Sequence, residues 1–135
     1  MARKTGIPQE VRNHVIRIVE QFNAETRPAR IQDQRRGLRR FFRRRSRQAD
    51  ESAPVPGDFV PRFRGRYLYL DRAGPRGQLS KICRLAWTGE MDDWEFAIYK
   101  YSSERYDQDD WFFPGSDEVD GTIEGALRAA QEAYP

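Results

Sequence analysis

The N-terminal third of the chain carries apolar residues at the spacing of an α-helix. Between Pro8 and about Glu25 they fall three or four residues apart, at Val11, Val15, Ile18 and Phe22. Pro8 suits the first turn of a helix, where its missing N–H costs no hydrogen bond. The run from Thr26 to Pro28 predicts the helix end, because the residue before a proline disfavours helical backbone. The apolar stripe should pack against a sheet.

A second helix is predicted from about Ala29 to Gln48, and it is strongly basic. Eight arginines and no acidic residue lie between Arg35 and Arg47. Like charges at this density repel, so the helix needs a negative partner, the acidic part of its own chain, or counterions. Residues 49–61 contain Pro54, Pro56, Gly57 and Pro61. This composition predicts a linker.

Alternation of apolar and polar residues predicts three strands, at Phe63–Asp71, Leu79–Thr88 and Trp94–Tyr101. In the first strand, Phe63 should share a face with Tyr67 and Tyr69. The short connections predict an antiparallel meander. The loop from Ser102 to Asp120 is acidic and aromatic and should fold back on the body, because its rings would otherwise stay in water. A last helix follows, with an apolar stripe at Ile123, Ala126, Leu127, Ala130 and Tyr134.

These elements predict an α+β fold, a three-stranded antiparallel meander packed against N- and C-terminal helices with an Arg-rich helical arm. We expect a single domain over residues 1–135, with a basic helical arm at 29–48, a Pro-rich linker at 49–61 and an α+β body at 62–135. The predicted core comprises Val15, Ile18, Phe22, Leu68, Leu85, Trp94, Phe96, Ile98, Ile123 and Leu127.

Charge is divided unevenly along the chain. Residues 1–86 hold 21 Lys and Arg against 8 Asp and Glu, whereas residues 87–135 hold 3 against 13. Such a division favours a nucleic-acid or membrane surface on one side, or two halves that attract each other. Almost all the cations are arginines, which suit bidentate contacts with phosphate or carboxylate.

The residues available for chemistry are few. The chain has one histidine and one cysteine, which excludes a His pair or an internal disulfide within one chain. His14 should be a half-buried structural residue, and Cys83, on a strand, a buried and inert thiol. The single cysteine, the absence of a signal sequence and the absence of a long apolar run predict a cytoplasmic protein without a membrane span. No phosphate-binding glycine motif occurs.

Acidic residues of the C-terminal part could gather around Mg²⁺ if their loops converge. They are Asp92, Asp93, Asp107, Asp109 and Asp110. Solvated carboxylates, or carboxylates that face the protein's own arginines, are the favoured interpretation. We therefore assign no catalytic residue, metal site or cofactor, and we favour a protein that is not an enzyme.

Two sets of residues are candidate binding groups. The first would contact phosphates from the basic helix and comprises Arg35, Arg36, Arg39, Arg40, Arg43, Arg44 and Arg47. The second would stack unpaired bases on the sheet and comprises Tyr67, Tyr69, Tyr99 and Tyr101. A basic amphipathic helix could equally lie on anionic lipid or in an acidic protein groove.

The segments RFRGRYLYLDR and ICRLAWTG, followed by the run from Trp94 to Pro135, resemble a group of small uncharacterised bacterial proteins. The resemblance covers about Arg62–Pro135 and implies no assigned activity. The Arg-rich helix lies outside it.

The sequence favours a non-enzymatic nucleic-acid-associated protein that uses an Arg-rich amphipathic helix. The first alternative is a protein–protein interaction module, which could self-associate through its basic and acidic halves. The second alternative is a metal-dependent enzyme that uses the loop carboxylates.

Overall fold

A computed structural model describes the backbone of residues 6–45 and 55–135, and the side chains of residues 6–27 and 55–135. Two helices and five strands make up the described part of the chain, with one 3₁₀ turn at Ser116–Glu118. In chain order the helices and strands are α1 (Gln9–Arg45), β1 (Phe59–Arg64), β2 (Tyr67–Ala73), β3 (Leu79–Ala86), β4 (Glu95–Lys100), β5 (Arg105–Asp107) and α2 (Ile123–Ala133).

The first helix is continuous over 37 residues, which corresponds to about 55 Å. The carbonyl of Pro8 accepts hydrogen bonds from Val11 and Arg12 at its start. The predicted break at Thr26–Pro28 and the separate helix from Ala29 are wrong. A proline removes one backbone hydrogen bond from a helix, and the Arg-rich segment that follows, with Gln32, Gln34 and Leu38, consists largely of strong helix formers.

The sheet is a five-stranded antiparallel meander in the order β1-β2-β3-β4-β5. The predicted three strands are too few, because the stretch Phe63–Asp71 is a hairpin and not one strand. Arg64 pairs with Tyr67 across a two-residue turn, and Gly65 adopts a φ of 60°. Glycine at the first position of such a turn supplies the positive φ that a tight hairpin requires.

The fifth strand lies inside the predicted acidic loop. Arg105–Asp107 pairs with β4 through a four-residue turn that ends at Glu104, which has a φ of 54°. Similarly, β1 begins at Phe59, inside the predicted linker. Residues 46–54, which include the first six residues of that linker and the end of the predicted arm, lie outside the described residues, and the division into arm, linker and body stays a prediction.

The core lies between one face of the sheet and the two helices. Eight of the ten predicted core residues are buried, and Ile18 and Phe22 are partly buried against them. Phe113 from the acidic loop stacks on Phe96, with ring centroids 5.7 Å apart. The prediction that this loop folds back on the body is therefore confirmed.

Two polar side chains attach α1 to the start of the sheet. The amide of Asn23 donates to the carbonyl of Phe59 at 2.9 Å and accepts from its N–H at 2.8 Å. One turn later, Arg27 donates to both carboxylate oxygens of Asp58, at 3.2 and 2.6 Å. Since β1 is an edge strand, Asn23 satisfies backbone groups that the sheet leaves unpaired.

Candidate nucleic-acid interface

The face of the sheet opposite the helices is rich in tyrosine and cations. We call it the tyrosine face, and it comprises Tyr67, Tyr69, Tyr99, Tyr106, Arg62, Lys81, Arg84, Asp71 and Glu95. Directly paired residues of neighbouring strands share a face. Arg62 pairs with Tyr69, which pairs with Arg84, and Tyr99 pairs with Tyr106. The pairings therefore place residues from all five strands on one surface.

The hairpin between β1 and β2 decides which aromatic rings belong to this surface. Phe63 pairs with Leu68 and packs against the core, whereas Tyr67 and Tyr69 lie on the opposite face. The prediction that Phe63 shares a face with both tyrosines is wrong, because the turn at Gly65 and Arg66 reverses the chain between them.

All six tyrosines of the chain form one continuous row of ring contacts. Along the row the centroid separations are 6.2 Å for Tyr67–Tyr69, 5.3 Å for Tyr69–Tyr106, 4.9 Å for Tyr106–Tyr99, 4.7 Å for Tyr99–Tyr101 and 5.8 Å for Tyr101–Tyr134. All five contacts are tilted or edge-to-face, and edge-to-face packing is a favourable arrangement for aromatic pairs. The row crosses the sheet from β2 to the end of α2.

Cationic side chains lie against the rings of this row. The guanidinium carbon of Arg62 is 4.4 Å from the centroid of Tyr69. Arg84 lies 4.6 Å from Tyr67 and 5.4 Å from Tyr106. These distances are within the range of cation–π attraction. Arg62 is exposed and Arg84 is half-buried, so the face presents positive charge and aromatic surface together.

A β-bulge between β2 and β3 arranges the centre of the tyrosine face. The register shifts between Leu70, which pairs with Cys83, and Asp71, which pairs with Lys81. Ile82 is left without a direct partner on β2 and joins the core. A bulge commonly re-aims a side chain. Here it brings Lys81 to the tyrosine face, where its ammonium lies 5.4 Å from the ring of Tyr99.

The carboxylates of the tyrosine face include that of Glu95, which is exposed and pairs with Ala86, and that of Asp71, which is 3% exposed. Its Oδ2 accepts from Nε of Arg62 at 3.1 Å. Among the described residues, neither its Oδ1 nor the hydroxyl of Tyr106 makes a hydrogen bond of normal geometry. Burial, and then the charge of Asp71, raises the pKa of Tyr106 to about 12, although the nearby guanidinium of Arg62 opposes the shift. The hydroxyl of Tyr106 therefore stays protonated at neutral pH.

Three of the four predicted stacking residues, Tyr67, Tyr69 and Tyr99, lie on the tyrosine face. Tyr101 lies in the β4–β5 turn at its edge and donates from its hydroxyl to the carbonyl of Lys81 at 2.7 Å. The backbones of Arg35, Arg36, Arg39, Arg40, Arg43 and Arg44 lie in α1, but their side chains fall outside the described residues. Arg47 lies wholly outside them.

The acidic loop gathers around a lysine. Nζ of Lys100 lies 2.9 Å from Asp110 and 3.9 Å from Asp107. A hydrogen bond from Lys100, and then one from the backbone N–H of Phe112, lowers the pKa of Asp110. In the part of the chain that the structure describes, no three His, Cys, Asp or Glu side chains are placed to hold a metal ion.

Cys83 and His14 are the two remaining candidates for chemistry, and the first is buried whereas the second is exposed. Cys83 is fully buried on the core face, as predicted. Burial, and then the charge of Asp71, raises the pKa of its thiol. His14 is exposed on α1, and the prediction of a half-buried histidine is wrong.

Sequence reasoning missed Arg62, Asp71 and Tyr106 as members of the site. The predicted first strand begins after Arg62, and Tyr106 falls in a predicted loop. The three residues of β5 are too short to show a period. The signal that could have found Arg62 and Asp71 is the pair Gly65-Arg66, because a Gly-X turn sets the register that brings both onto the face of Tyr69.

No protein-family model, curated protein or solved structure matches this chain. Neither described helix, α1 included, is long and apolar enough to cross a membrane.

Proposed function

We propose that this protein binds single-stranded nucleic acid on the tyrosine face and that it does so without catalysis. The observation that carries the proposal is the row of Tyr67, Tyr69 and Tyr106 with Arg62 and Arg84 against its rings.

Stacking on the tyrosine face would require bases that are unpaired. A base in a duplex has both π faces covered by its neighbours, whereas an unpaired base can place one face on an aromatic ring. Each such stack contributes about 1–3 kcal/mol and is tolerant of sequence. The rings of Tyr67 and Tyr69 are half-buried, so each keeps surface on which a base can lie.

The charge around the rings suits the phosphates of such a strand. Arg64 and Arg66 are exposed at the tip of the β1–β2 hairpin, and the guanidinium of Arg66 is 5.3 Å from the ring of Tyr67. With Arg62, Lys81 and Arg84 they bring five cations to the face that carries the carboxylates of Asp71 and Glu95. Phosphate contacts of this kind release counterions, so binding should weaken as salt rises.

The Arg-rich segment between Arg35 and Arg47 is proposed as a second contact with the phosphate backbone. It adds eight positive charges to the same protein. Such contacts would raise affinity for any sequence without selecting among bases. The arm and the tyrosine face can be separated by experiment, because removal of the arm should weaken duplex and single-strand binding alike.

The test is a fluorescence-anisotropy titration of a labelled oligonucleotide, as a single strand and as a duplex, at low salt. We expect tighter binding of the single strand. Tyr69→Ala should weaken single-strand binding by roughly tenfold, the loss of one stacked base. Phe112→Ala is the matched control, because Phe112 is 97% exposed on the loop that packs over the core face. Failure to bind either form at low salt would refute the proposal.

A second candidate is a protein-interaction module, and the acidic loop favours it. Phe112 is 97% exposed and Trp111 is 45% exposed, beside the carboxylates of Asp109 and Asp110. Adjacent exposed rings form an apolar patch, and large exposed apolar patches mark interaction sites. In this case Phe112→Ala would abolish capture of a basic partner, or self-association in light scattering, and Tyr69→Ala would leave both unchanged.

A further inference from the structure

We propose that Asp71 and Tyr106 make the tyrosine face selective for guanine among unpaired bases. This inference rests on the proposed binding of single strands. Stacking alone gives little preference for any base. The inference adds one position at which hydrogen bonds would select the base.

The position is defined by two buried polar atoms on one surface. Oδ1 of Asp71 and the hydroxyl of Tyr106 are buried, and neither makes a hydrogen bond of normal geometry among the described residues, although the guanidinium of Arg62 lies close to the hydroxyl. A buried polar atom without a partner is costly, since it has lost water and gained nothing. A ligand that supplies the missing hydrogen bonds would recover that cost.

The position also adjoins a stacking ring. Asp71 follows Tyr69 by two residues on the same strand face, a separation of about 6.6 Å along the strand. The ring of Tyr106 lies 5.3 Å from that of Tyr69. A base stacked on Tyr69 would therefore turn one edge toward Oδ1 of Asp71 and the hydroxyl of Tyr106. To admit the base, Arg62, with its side chain 44% exposed, would leave the Tyr69 ring and give up its hydrogen bond to Oδ2 of Asp71, which frees both carboxylate oxygens.

The hydrogen-bonding properties of the Asp71 carboxylate and the Tyr106 hydroxyl determine which base edge they bind best. An ionised carboxylate only accepts hydrogen bonds, so it pairs best with a base edge that carries adjacent N–H donors. Guanine presents N1–H and N2–H₂ side by side, with the O6 acceptor next to them. In cytosine and adenine the amino group is followed by an acceptor nitrogen, and in uracil and thymine the single N–H lies between two carbonyls. The hydroxyl of Tyr106 can donate to O6.

The experiment compares oligothymidines that carry one central substitution, titrated into the full-length protein by fluorescence anisotropy. We expect guanine to bind about tenfold more tightly than thymine or adenine, the discrimination typical of a bidentate contact. Inosine, which lacks only the N2 amino group, should lose most of the gain. Equal affinity for guanine and inosine would overturn the inference.

Substitutions of Asp71 and Tyr106 distinguish a role in base recognition from a purely structural role. Asp71→Asn should abolish the preference for guanine, measured as the ratio of the affinities for the guanine and thymine oligonucleotides in the same variant. Tyr106→Phe should reduce the preference by less. A preference unchanged in Asp71→Asn would overturn the assignment. If every oligonucleotide fails to bind the wild-type protein, the proposed function fails; if all bind equally, only the present inference does.

Discussion

The ring of Tyr106 lies 5.3 Å from the ring of Tyr69, although two strands separate β5 from β2. Two small adjustments accompany this contact. Ala97 on β4 presents only a methyl group beside Tyr99, and the bulge directs Ile82 of β3 into the core. On the tyrosine face, the surface between β2 and β5 is therefore occupied mainly by Arg84, Lys81 and the tyrosine rings. A continuous aromatic row results, with a carboxylate below it.

The hydroxyl of Tyr106 should make stability depend on alkaline pH. Its pKa is 10.0 in the absence of folded surroundings and about 12 in the folded protein. The unfolded chain therefore loses this proton first as pH rises. The contribution of Tyr106 should be intact below pH 10.0 and should be lost progressively up to about 12. Urea unfolding across this range should show a smaller decline for Tyr106→Phe than for wild type. Parallel curves would contradict the assignment.

The amide of Asn23 should be among the most sensitive polar groups outside the tyrosine face. Asn23→Ala removes both hydrogen bonds to the backbone of Phe59, and it leaves the N–H and carbonyl of a buried residue unsatisfied. We expect the free energy of unfolding to fall by about 2–4 kcal/mol. Gln21→Ala is the matched control, because Gln21 is exposed and its side chain bonds to Glu25 on the helix surface. It should change stability by no more than about 0.5 kcal/mol. Equal effects would show that Asn23 does not attach α1 to β1.

Two glycines with similar backbone angles should respond differently to alanine. Gly77 has a φ of 83° and open space where a Cβ would stand, whereas a Cβ at Gly121 (φ 89°) would lie 2.5 Å from the carbonyl oxygen of Asp92. Gly77→Ala should cost only the left-handed strain, about 1–2 kcal/mol. Gly121→Ala adds a steric clash of about 1–3 kcal/mol. Thermal unfolding of both variants measures the difference, and a Gly121→Ala variant as stable as Gly77→Ala would contradict the packing of this turn.

The hairpin arginines should contribute to the salt dependence of binding. Arg64→Gln should lower the slope of log affinity against log salt by about 0.7, the value for one phosphate of a single strand. Arg76 is an exposed arginine in the turn between β2 and β3, away from the tyrosine rings, and Arg76→Gln should leave the slope unchanged. A slope that changes equally in both variants would indicate that general positive charge, and not the tyrosine face, attracts the strand.

The core could be predicted well from the sequence for a physical reason. Leu68, Leu85 and Phe96 lie at alternating positions of their strands, and each pairs with another apolar residue on the core face. Burial of such a face fixes strand register strongly. The same pattern could not reveal the hairpin at Gly65. Apolar and polar residues alternate both before and after the turn, so β1 and β2 look like one continuous strand in the sequence.

The candidate site can be predicted only in part, and the missing pieces depend on long-range contacts. The strand positions of Tyr69 and Tyr99 are predicted from the sequence, and their role in stacking stays a prediction. Tyr106 connects them through β5, a strand of three residues that is too short to show an alternating pattern. The connection also depends on the bulge at Ile82, which cannot be recognised from the hydrophobic pattern. The continuity of α1 through Pro28 is missed because the local preference of a proline is outweighed by the helix formers that follow it.

The most direct test of the tyrosine face is a ¹H–¹³C aromatic NMR titration of the full-length protein with a short single-stranded oligonucleotide that contains guanine. We predict upfield shifts of the ring signals of Tyr67, Tyr69 and Tyr106, from the ring currents of stacked bases, at ratios where Trp111 and Phe113 stay unchanged. Shifts confined to Trp111 and Phe113, or no shift of any tyrosine ring at saturation, would contradict the account.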